Sequence, residues 1–76
     1  MVTVKDIEKV LEDYLLTPDI TFKELRPYLI SEFEWNVDPL KKSQFMIRGI
    51  GIKDDMIVEE ILKTHLPMET IVLKEI

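Results

Sequence analysis

The sequence predicts a mainly α-helical fold: one small globular domain, residues 1–76, built as a bundle of about four short helices. Three observations lead to this prediction. The chain has 76 residues, which is the length of one small domain. Apolar residues recur at helical spacing in several stretches, and capping residues or prolines bound those stretches. The segments 45–52 and 70–76 also fit strands, so an α+β fold with a two-stranded β element stays open.

The first helix is predicted from Thr3 to about Leu16. Thr3 can cap it, with Asp6 three residues later as an imperfect capping box. The helix should end before Thr17-Pro18, because the residue before a proline disfavours the helical conformation. The apolar stripe that would face the core consists of Val4, Ile7, Val10, Leu11, Tyr14 and Leu15.

The second helix is predicted over residues 22–34. Thr21 and Glu24 form a strict capping box at its start. Pro27 lies inside the pattern, and its missing N–H removes the hydrogen bond that would go back to Lys23. Since the apolar face continues past the proline, we expect one helical segment with a local distortion. That face consists of Phe22, Leu25, Leu29 and Phe33.

A third helix is predicted over residues 39–48. Asp38 followed by Pro39 is a strong signal for a helix N-terminus, and the glycines that follow this stretch would end the helix. The competing interpretation makes residues 45–52 a strand, because the letters FMIRGIGI are rich in residues that favour strands. Two glycines inside a strand weaken that interpretation, which leaves the helix ahead.

The fourth helix is predicted to start at Lys53 or Asp54 and to end before Pro67. The tail, residues 70–76, forms a strand or a last short helix. A lone strand needs a partner, so a strand there would pair with residues 45–52 and produce a β-α-β unit. The predicted core consists of Ile7, Val10, Leu11, Tyr14, Leu25, Leu29, Phe33, Ile47, Ile57, Ile61 and Leu62.

Composition excludes several classes of protein. There are no cysteines, which rules out disulfides and thiolate metal sites. No apolar run approaches the roughly 18 residues that a membrane-spanning helix needs, and the start of the chain has no apolar signal-peptide core. We therefore expect a soluble, cytoplasmic protein with no membrane partner. Abundant Glu, Lys and Ile beside a single Asn and a single Gln are typical of heat-adapted proteins and suggest a thermophilic source.

Few residues could support catalysis. His65 is the only histidine, and its place on the apolar side of a predicted helix favours a packed or capping role. The acidic cluster Asp54, Asp55, Glu59 and Glu60 is interpreted as a solvated first helical turn rather than a cation site. Neither serine has a base at helical spacing. We therefore expect no enzyme activity: no catalytic residue, no cofactor, no metal and no small-molecule substrate.

One basic segment, residues 41–53, stands out in a chain whose net charge is −5. The acidic total argues against general affinity for nucleic acid. The segment itself could contact phosphate locally, and it surrounds both glycines of the chain. Its basic residues are Lys41, Lys42, Arg48 and Lys53.

Within that segment, the letters IRGIGIK of residues 47–53 resemble the hairpin of a helix-hairpin-helix DNA-binding motif. In that family a Gly-apolar-Gly turn lies between two helices, and its backbone N–H groups contact phosphate without reading base sequence. Asp55 departs from the pattern, since a small residue is expected there, and Asp54 adds a second negative charge where phosphate should lie. The residues to which the resemblance assigns the hairpin are Gly49, Ile50, Gly51 and Lys53.

A second resemblance overlaps the first and concerns the fold alone. Residues 21–45 are similar to the small helical domain at the C-terminus of DEK-type chromatin proteins, which also bind DNA. This resemblance implies a unit of three helices and assigns no site residue. The pattern that carries it is Thr21-x-Lys23-x-Leu25-Arg26, followed by Phe33, Val37, Leu40, Lys42 and Phe45.

The leading functional hypothesis is a non-enzymatic module that binds another protein or associates with itself. So short a chain builds only a small core, and apolar faces on every element exceed what that core covers. Trp35, Phe33 and Met46 are the predicted protein-interface residues, on condition that Trp35 is exposed beside the other two. The alternative is a small nucleic-acid-binding domain that uses the glycine turn and residues 41–53. Steep salt dependence of binding would favour the alternative.

Overall fold

The computed structural model describes all of residues 1–76 and contains three helices and four strands. In chain order these are β1 Val2–Thr3, α1 Val4–Asp13, α2 Phe22–Glu32, β2 Ser43–Ile47, β3 Ile50–Gly51, α3 Val58–Thr64 and β4 Thr70–Glu75. The strands form one sheet in the order β1-β4-β2-β3, and all neighbours are antiparallel. The prediction of a mainly α bundle of about four helices is therefore wrong, because this is an α+β fold.

The predicted third helix, residues 39–48, is the main error. Asp38 does start a turn, since its Oδ1 accepts a hydrogen bond from the Leu40 N–H at 2.9 Å. The turn goes no further, because β2 pairs with β4 at five register positions. Phe45 and Ile47 are buried and alternate with less buried neighbours, which is the pattern of a strand with one face on the core. Pairing across the sheet therefore outweighs the local helix signal.

The pairing of segment 45–52 with segment 70–76, which the open alternative predicts, is found only in part: residues 45–47 pair with β4, whereas residues 50–51 turn back and pair with β2. Strands β2 and β4 form the centre of a larger sheet rather than an isolated pair, because β1 and β3 each add a two-residue strand at one edge. Along β4, Ile71 and Leu73 are buried, whereas Val72 between them is 50% exposed. One face of the sheet is therefore covered by the rest of the chain and the other face is open.

Both glycines of the chain serve the hairpin between β2 and β3. The turn has two residues, Arg48 and Gly49, with φ of 54° and 74°. Positive φ at both central residues is the type I′ geometry, whose twist matches that of antiparallel strands. Gly51 lies under the side chain of Gln44, since a Cβ on Gly51 would be 2.5 Å from the Gln44 amide nitrogen. Gly49 therefore forms the turn of a β-hairpin, and Gly51 leaves room for the Gln44 side chain. The two glycines do not form a turn between two helices.

The first two helices follow their sequence signals. At α1 the Thr3 N–H donates to the Asp6 carboxylate at 2.8 Å, so Asp6 takes the place of Glu in a capping box. At α2 the Glu24 N–H donates to Thr21 Oγ1 at 3.3 Å, which is the N-cap bond, but the return bond of the predicted strict capping box, from the Thr21 N–H to the Glu24 carboxylate, is not formed. Helix α2 runs through Pro27 as one segment, as predicted, although it ends at Glu32.

The core lies between the three helices and the covered face of the sheet. At its centre the rings of Phe22 and Phe45 meet edge to face, with centroids 5.5 Å apart. Two predicted core residues, Tyr14 and Ile57, are instead 40% and 36% exposed, and Phe33 and Leu62 are half-buried. The predicted core residues that are buried are Ile7, Val10, Leu11, Leu25, Leu29, Ile47 and Ile61.

The first two backbone N–H groups of every helix donate to carbonyl groups from elsewhere in the chain. Between α2 and α3 the arrangement is reciprocal: the Phe22 N–H donates to Met56 O at 2.8 Å, and the Val58 N–H donates to Ile20 O at 2.9 Å. The other four bonds run from Lys23 to Asp54, from Glu59 to Pro18, from Val4 to Glu69 and from Lys5 to Pro67. Groups that normally stay unsatisfied at a helix start are thus used to join the helices.

An internal similarity in the sequence matches the reciprocal pairing of α2 and α3. Residues 18–25 read PDITFKEL and residues 54–61 read DDMIVEEI. Both have an Asp, two apolar positions separated by one residue, a Glu and a final apolar residue at the same offsets. The two segments meet where Thr21 and Ile57 form an isolated antiparallel bridge. Two similar lead-in segments therefore start two helices side by side.

Candidate functional site

A groove of about 400 Å³ lies between α2 and the loop of residues 33–41, at the end of the sheet where β2 begins. It is open to solvent on one side. Its apolar walls are Ile30, Phe33, Trp35, Val37 and Leu73. The polar and charged residues that line it include Arg26, Asp38, Lys41 and Ser43. Volumes of this order are typical of pockets that bind ligands in proteins.

The Trp35 side chain is fixed against the body of the protein. Its indole N–H donates to the Leu29 carbonyl at 3.1 Å. Its ring meets Phe45 edge to face, with centroids 5.2 Å apart, and Phe33 in the same manner at 6.3 Å. An aromatic side chain held by a hydrogen bond and two ring contacts has few other rotamers. The aromatic wall of the groove is therefore preformed.

Arg26 forms the charged part of the opposite wall. Its Nη2 donates to the Ser43 carbonyl at 2.8 Å and to Ser43 Oγ at 2.7 Å. Its guanidinium lies 5.3 Å from the centre of the Phe45 ring, a cation–π distance. The side chain is half-buried, and no carboxylate of the chain lies within 4.0 Å of it. Arg26 is therefore a positioned cation without an acidic partner.

The acidic groups near the groove have other partners. Glu75 lies 4.0 Å from Lys41 Nζ and accepts a hydrogen bond from the Asp38 N–H at 2.7 Å. The Asp38 carboxylate accepts the Leu40 N–H. Each carboxylate thus has a partner other than Arg26.

The three predicted protein-interface residues do not form one surface. Phe33 and Trp35 lie together in the groove, and both are half-buried rather than exposed. Met46 alternates with the buried Phe45 and Ile47, so its side chain lies on the open face of the sheet. The condition that Trp35 be exposed beside Met46 is not met.

The four basic residues of segment 41–53 are also spread over the molecule. Lys41 and Lys42 precede β2, whereas Arg48 follows it, and the six residue steps of extended chain from Lys42 to Arg48 separate them by about 20 Å. Arg48 forms an ion pair with Glu69, and Lys53 lies beyond the hairpin. The structure therefore brings together no single basic patch from this segment.

The geometry that the helix-hairpin-helix resemblance implies is absent. Strand β2 stands where the first helix should be, and Ile50 and Gly51 belong to strand β3. The backbone N–H groups of Val58 and Glu59, which start the following helix, already donate to Ile20 O and Pro18 O, both at 2.9 Å. A phosphate could not use them without breaking these bonds. The DEK-type resemblance is wrong in the same region, because Phe45 lies on a strand.

Glu69 joins the hairpin to the connection between α3 and β4. Its carboxylate accepts hydrogen bonds from Arg48 and from the Leu66 N–H, the latter at 2.9 Å. Burial of this carboxyl acts to raise its pKa, but the Arg48 and Leu66 hydrogen bonds outweigh burial and lower the pKa below 4.5. Glu69 is thus ionised at neutral pH and ties the hairpin to this connection.

His65 has a capping contact, as its sequence position suggested. Its Nδ1 lies 3.3 Å from the Ile61 carbonyl and 2.9 Å from Thr64 Oγ1, at the end of α3. Among residues 1–76, no group of three or more His, Asp or Glu side chains could hold a metal ion.

Arg26 is the site residue that sequence reasoning missed. Its signal was available, because Phe22, Arg26, Ile30 and Phe33 recur at intervals of four, four and three and so share one helix face. A single charged residue within an apolar stripe indicates a cation held at a boundary between core and surface.

Comparisons of this chain with protein-family models, with curated proteins and with solved structures gave no match. None of the three helices is long and apolar enough to cross a membrane.

Proposed function

We propose that this chain is a non-enzymatic protein-interaction module that holds a segment of a partner protein in the groove between α2 and the 33–41 loop. The observation that carries the proposal is a preformed groove of about 400 Å³ whose apolar walls face solvent. Removing such apolar walls from water favours binding. Because Trp35 is already fixed, binding requires little ordering of the groove. The cysteine-free composition supports a cytoplasmic site of action.

The shape of the groove favours a chain segment over an enclosed small molecule. It is open to solvent rather than enclosed, so a bound segment can insert one bulky side chain while the rest of the segment stays outside the groove. Ile30 at its rim is 43% exposed, which leaves apolar area for that side chain to cover. A small domain with a limited core gains stability from such a partner.

The test uses peptides selected from a random displayed library on the whole chain. A selected peptide is titrated into ¹⁵N-labelled protein. We expect shifts of the Trp35 indole N–H and of the Ile30 and Val37 amides. Ile30→Glu should abolish binding, whereas Leu15→Glu, at an exposed position that does not line the groove, should leave it unchanged. A selection that yields no peptide, or shifts confined to other surfaces, would contradict the proposal.

Self-association is the second form of this function, and a different surface supports it. On the open face of the sheet, Val72 is half exposed and lies opposite Met46 in the register of β2 and β4. Cross-strand apolar pairs left in water favour pairing of two copies. Sedimentation velocity over a range of concentrations would then show a dimer that Val72→Glu removes and Ile30→Glu does not. A monomer at all concentrations would contradict self-association and leave the groove as the binding surface.

The same labelled protein offers a direct comparison with nucleic-acid binding. Titration with a mixed-sequence DNA duplex at low salt should leave the Gly49, Gly51 and Lys53 amides unmoved. Shifts there that salt reverses would favour the alternative function.

A further inference from the structure

We infer that the segment held in the groove presents a carboxylate next to a bulky apolar side chain, and that Arg26 binds this carboxylate. The inference rests on the proposed function, because it names the chemistry of the partner segment for the same groove. Its premise is that Arg26 is positioned, half-buried and without a carboxylate of its own chain within 4.0 Å.

The hydrogen bonds of Arg26 leave part of its guanidinium available. Both bonds, to the Ser43 carbonyl and to Ser43 Oγ, use Nη2. A guanidinium carries five N–H groups, and those on Nε and Nη1 have no acceptor in the protein. The bonds to Ser43 and the contact with the Phe45 ring fix the plane of the group. A planar fork held in one orientation suits the two oxygens of a carboxylate.

Charge around the groove agrees with an acidic ligand. The charged residues that line it are Arg26, Lys41 and Asp38, and Asp38 is directed to the Leu40 N–H. The net charge of the whole chain is −5, but at physiological salt charges beyond about 8 Å are largely screened. Local charge therefore decides: two cations line the groove, and of these Lys41 lies beside Glu75 whereas Arg26 has no acidic partner in the chain.

The apolar walls determine the second property of the bound segment, which is a bulky apolar side chain. Ile30 on α2, Trp35 and Val37 in the 33–41 loop, and Leu73 on β4 supply these walls. A bulky apolar side chain fits between these walls. Water excluded by that side chain strengthens the interaction of Arg26 with the neighbouring carboxylate. The two features together predict a segment in which Asp or Glu stands one or two positions from Leu, Ile, Phe or Trp.

The experiment uses peptides selected on the whole chain, with substitutions on both sides of the contact. Arg26→Gln, or replacement of the peptide's acidic residue by its amide, should each weaken binding by about 10- to 100-fold, the value of a charge-assisted hydrogen bond. The combined change should weaken it little further. Lys23→Gln is the matched control, because it also removes one positive charge from α2, and Lys23 is exposed and does not line the groove. It should change affinity less than about threefold.

Three other outcomes would overturn the inference. Peptides that bind in the groove without any carboxylate would refute it while leaving the proposed function intact. Equal weakening by Arg26→Gln for acidic and amide forms of the peptide would show that Arg26 acts only by supporting the groove. Thermal melting of each variant, Ser43→Ala included, shows whether weaker peptide binding comes from a lost contact or from a lost fold. A selection that yields no groove-binding peptide would sink the proposed function and this inference together.

Discussion

Replacing Leu15 by glycine should stabilise the protein. Leu15 follows the end of α1 with φ of 55°. The Leu15 N–H donates to Glu12 O at 3.2 Å and the Leu16 N–H donates to Leu11 O at 2.8 Å, which is the Schellman arrangement. The left-handed residue of this motif is usually glycine, because a Cβ is strained in that conformation. Leu15 therefore carries strain that glycine would relieve.

The magnitude follows from three terms. A left-handed conformation costs an L-residue about 1–2 kcal/mol. The Leu15 side chain is 91% exposed, so its removal loses almost no apolar burial. The greater freedom of glycine in the unfolded chain takes back about 0.5–1 kcal/mol. The expected net gain is about 0.5–1 kcal/mol, which raises the Tm of a domain of this length by roughly 2–8 °C.

Thermal and urea unfolding, followed by circular dichroism, measure this gain. Leu15→Ala keeps a Cβ and should stay within about 0.5 kcal/mol of the wild type. Glu12→Gly, at an exposed position inside α1, should instead destabilise the protein by about 1 kcal/mol. If Leu15→Gly melts at or below the Leu15→Ala variant, then Leu15 is not strained and the argument fails.

Three further substitutions test the hairpin, the ion pair and the groove wall. Glu69→Gln should lower the free energy of unfolding above pH 4.5. Because the pKa of Glu69 is lowered in the folded protein, the difference from wild type should vanish as pH falls through that pKa. A difference that persists in acid would refute the stabilising role of the ionised Glu69. Trp35→Phe should cost about 1 kcal/mol in urea unfolding for the lost bond to the Leu29 carbonyl, and no loss would mean that the bond does not hold the wall. Gly49→Ala should cost about 0.5–1 kcal/mol in thermal unfolding, because the strain of alanine at a φ of 74° exceeds what the lower freedom of alanine in the unfolded chain gives back, and no atom lies within 4 Å of the added Cβ; an unchanged Tm would contradict the hairpin turn.

The candidate site was predicted only in part. Phe33 and Trp35 were chosen as interface aromatics, and they do line one groove. The sequence also predicts Met46 as an interface residue, within a predicted helix over residues 39–48, but the alternation of strand β2 places its side chain on the open face of the sheet. Arg26 was not chosen, because an arginine on a helix is ordinarily solvated. Only the packing of α2 against Ser43 shows that it is held in place.

Features that depend on near neighbours in the chain, such as helix caps and apolar stripes, could be predicted from the sequence alone. Thr3 and Thr21 cap helices because their partners, Asp6 and Glu24, are three residues away. The apolar stripes of α1 and α2 likewise predicted most of the helical core.

The strands β2 and β4, in the middle and at the end of the chain, depend instead on tertiary contacts. Segment 43–47 is a strand because β4, about thirty residues later, supplies its hydrogen-bond partners. No local preference of those residues outweighs this pairing. Neither the strong N-cap signal at Asp38 nor the two glycines indicate that residues 43–47 pair with β4. The groove has the same origin, since its walls come from α2, the 33–41 loop and β4. The contacts that stabilise this fold join residues that are far apart in the chain, so no single stretch of the sequence predicts them. These contacts determine both the fold class and the site.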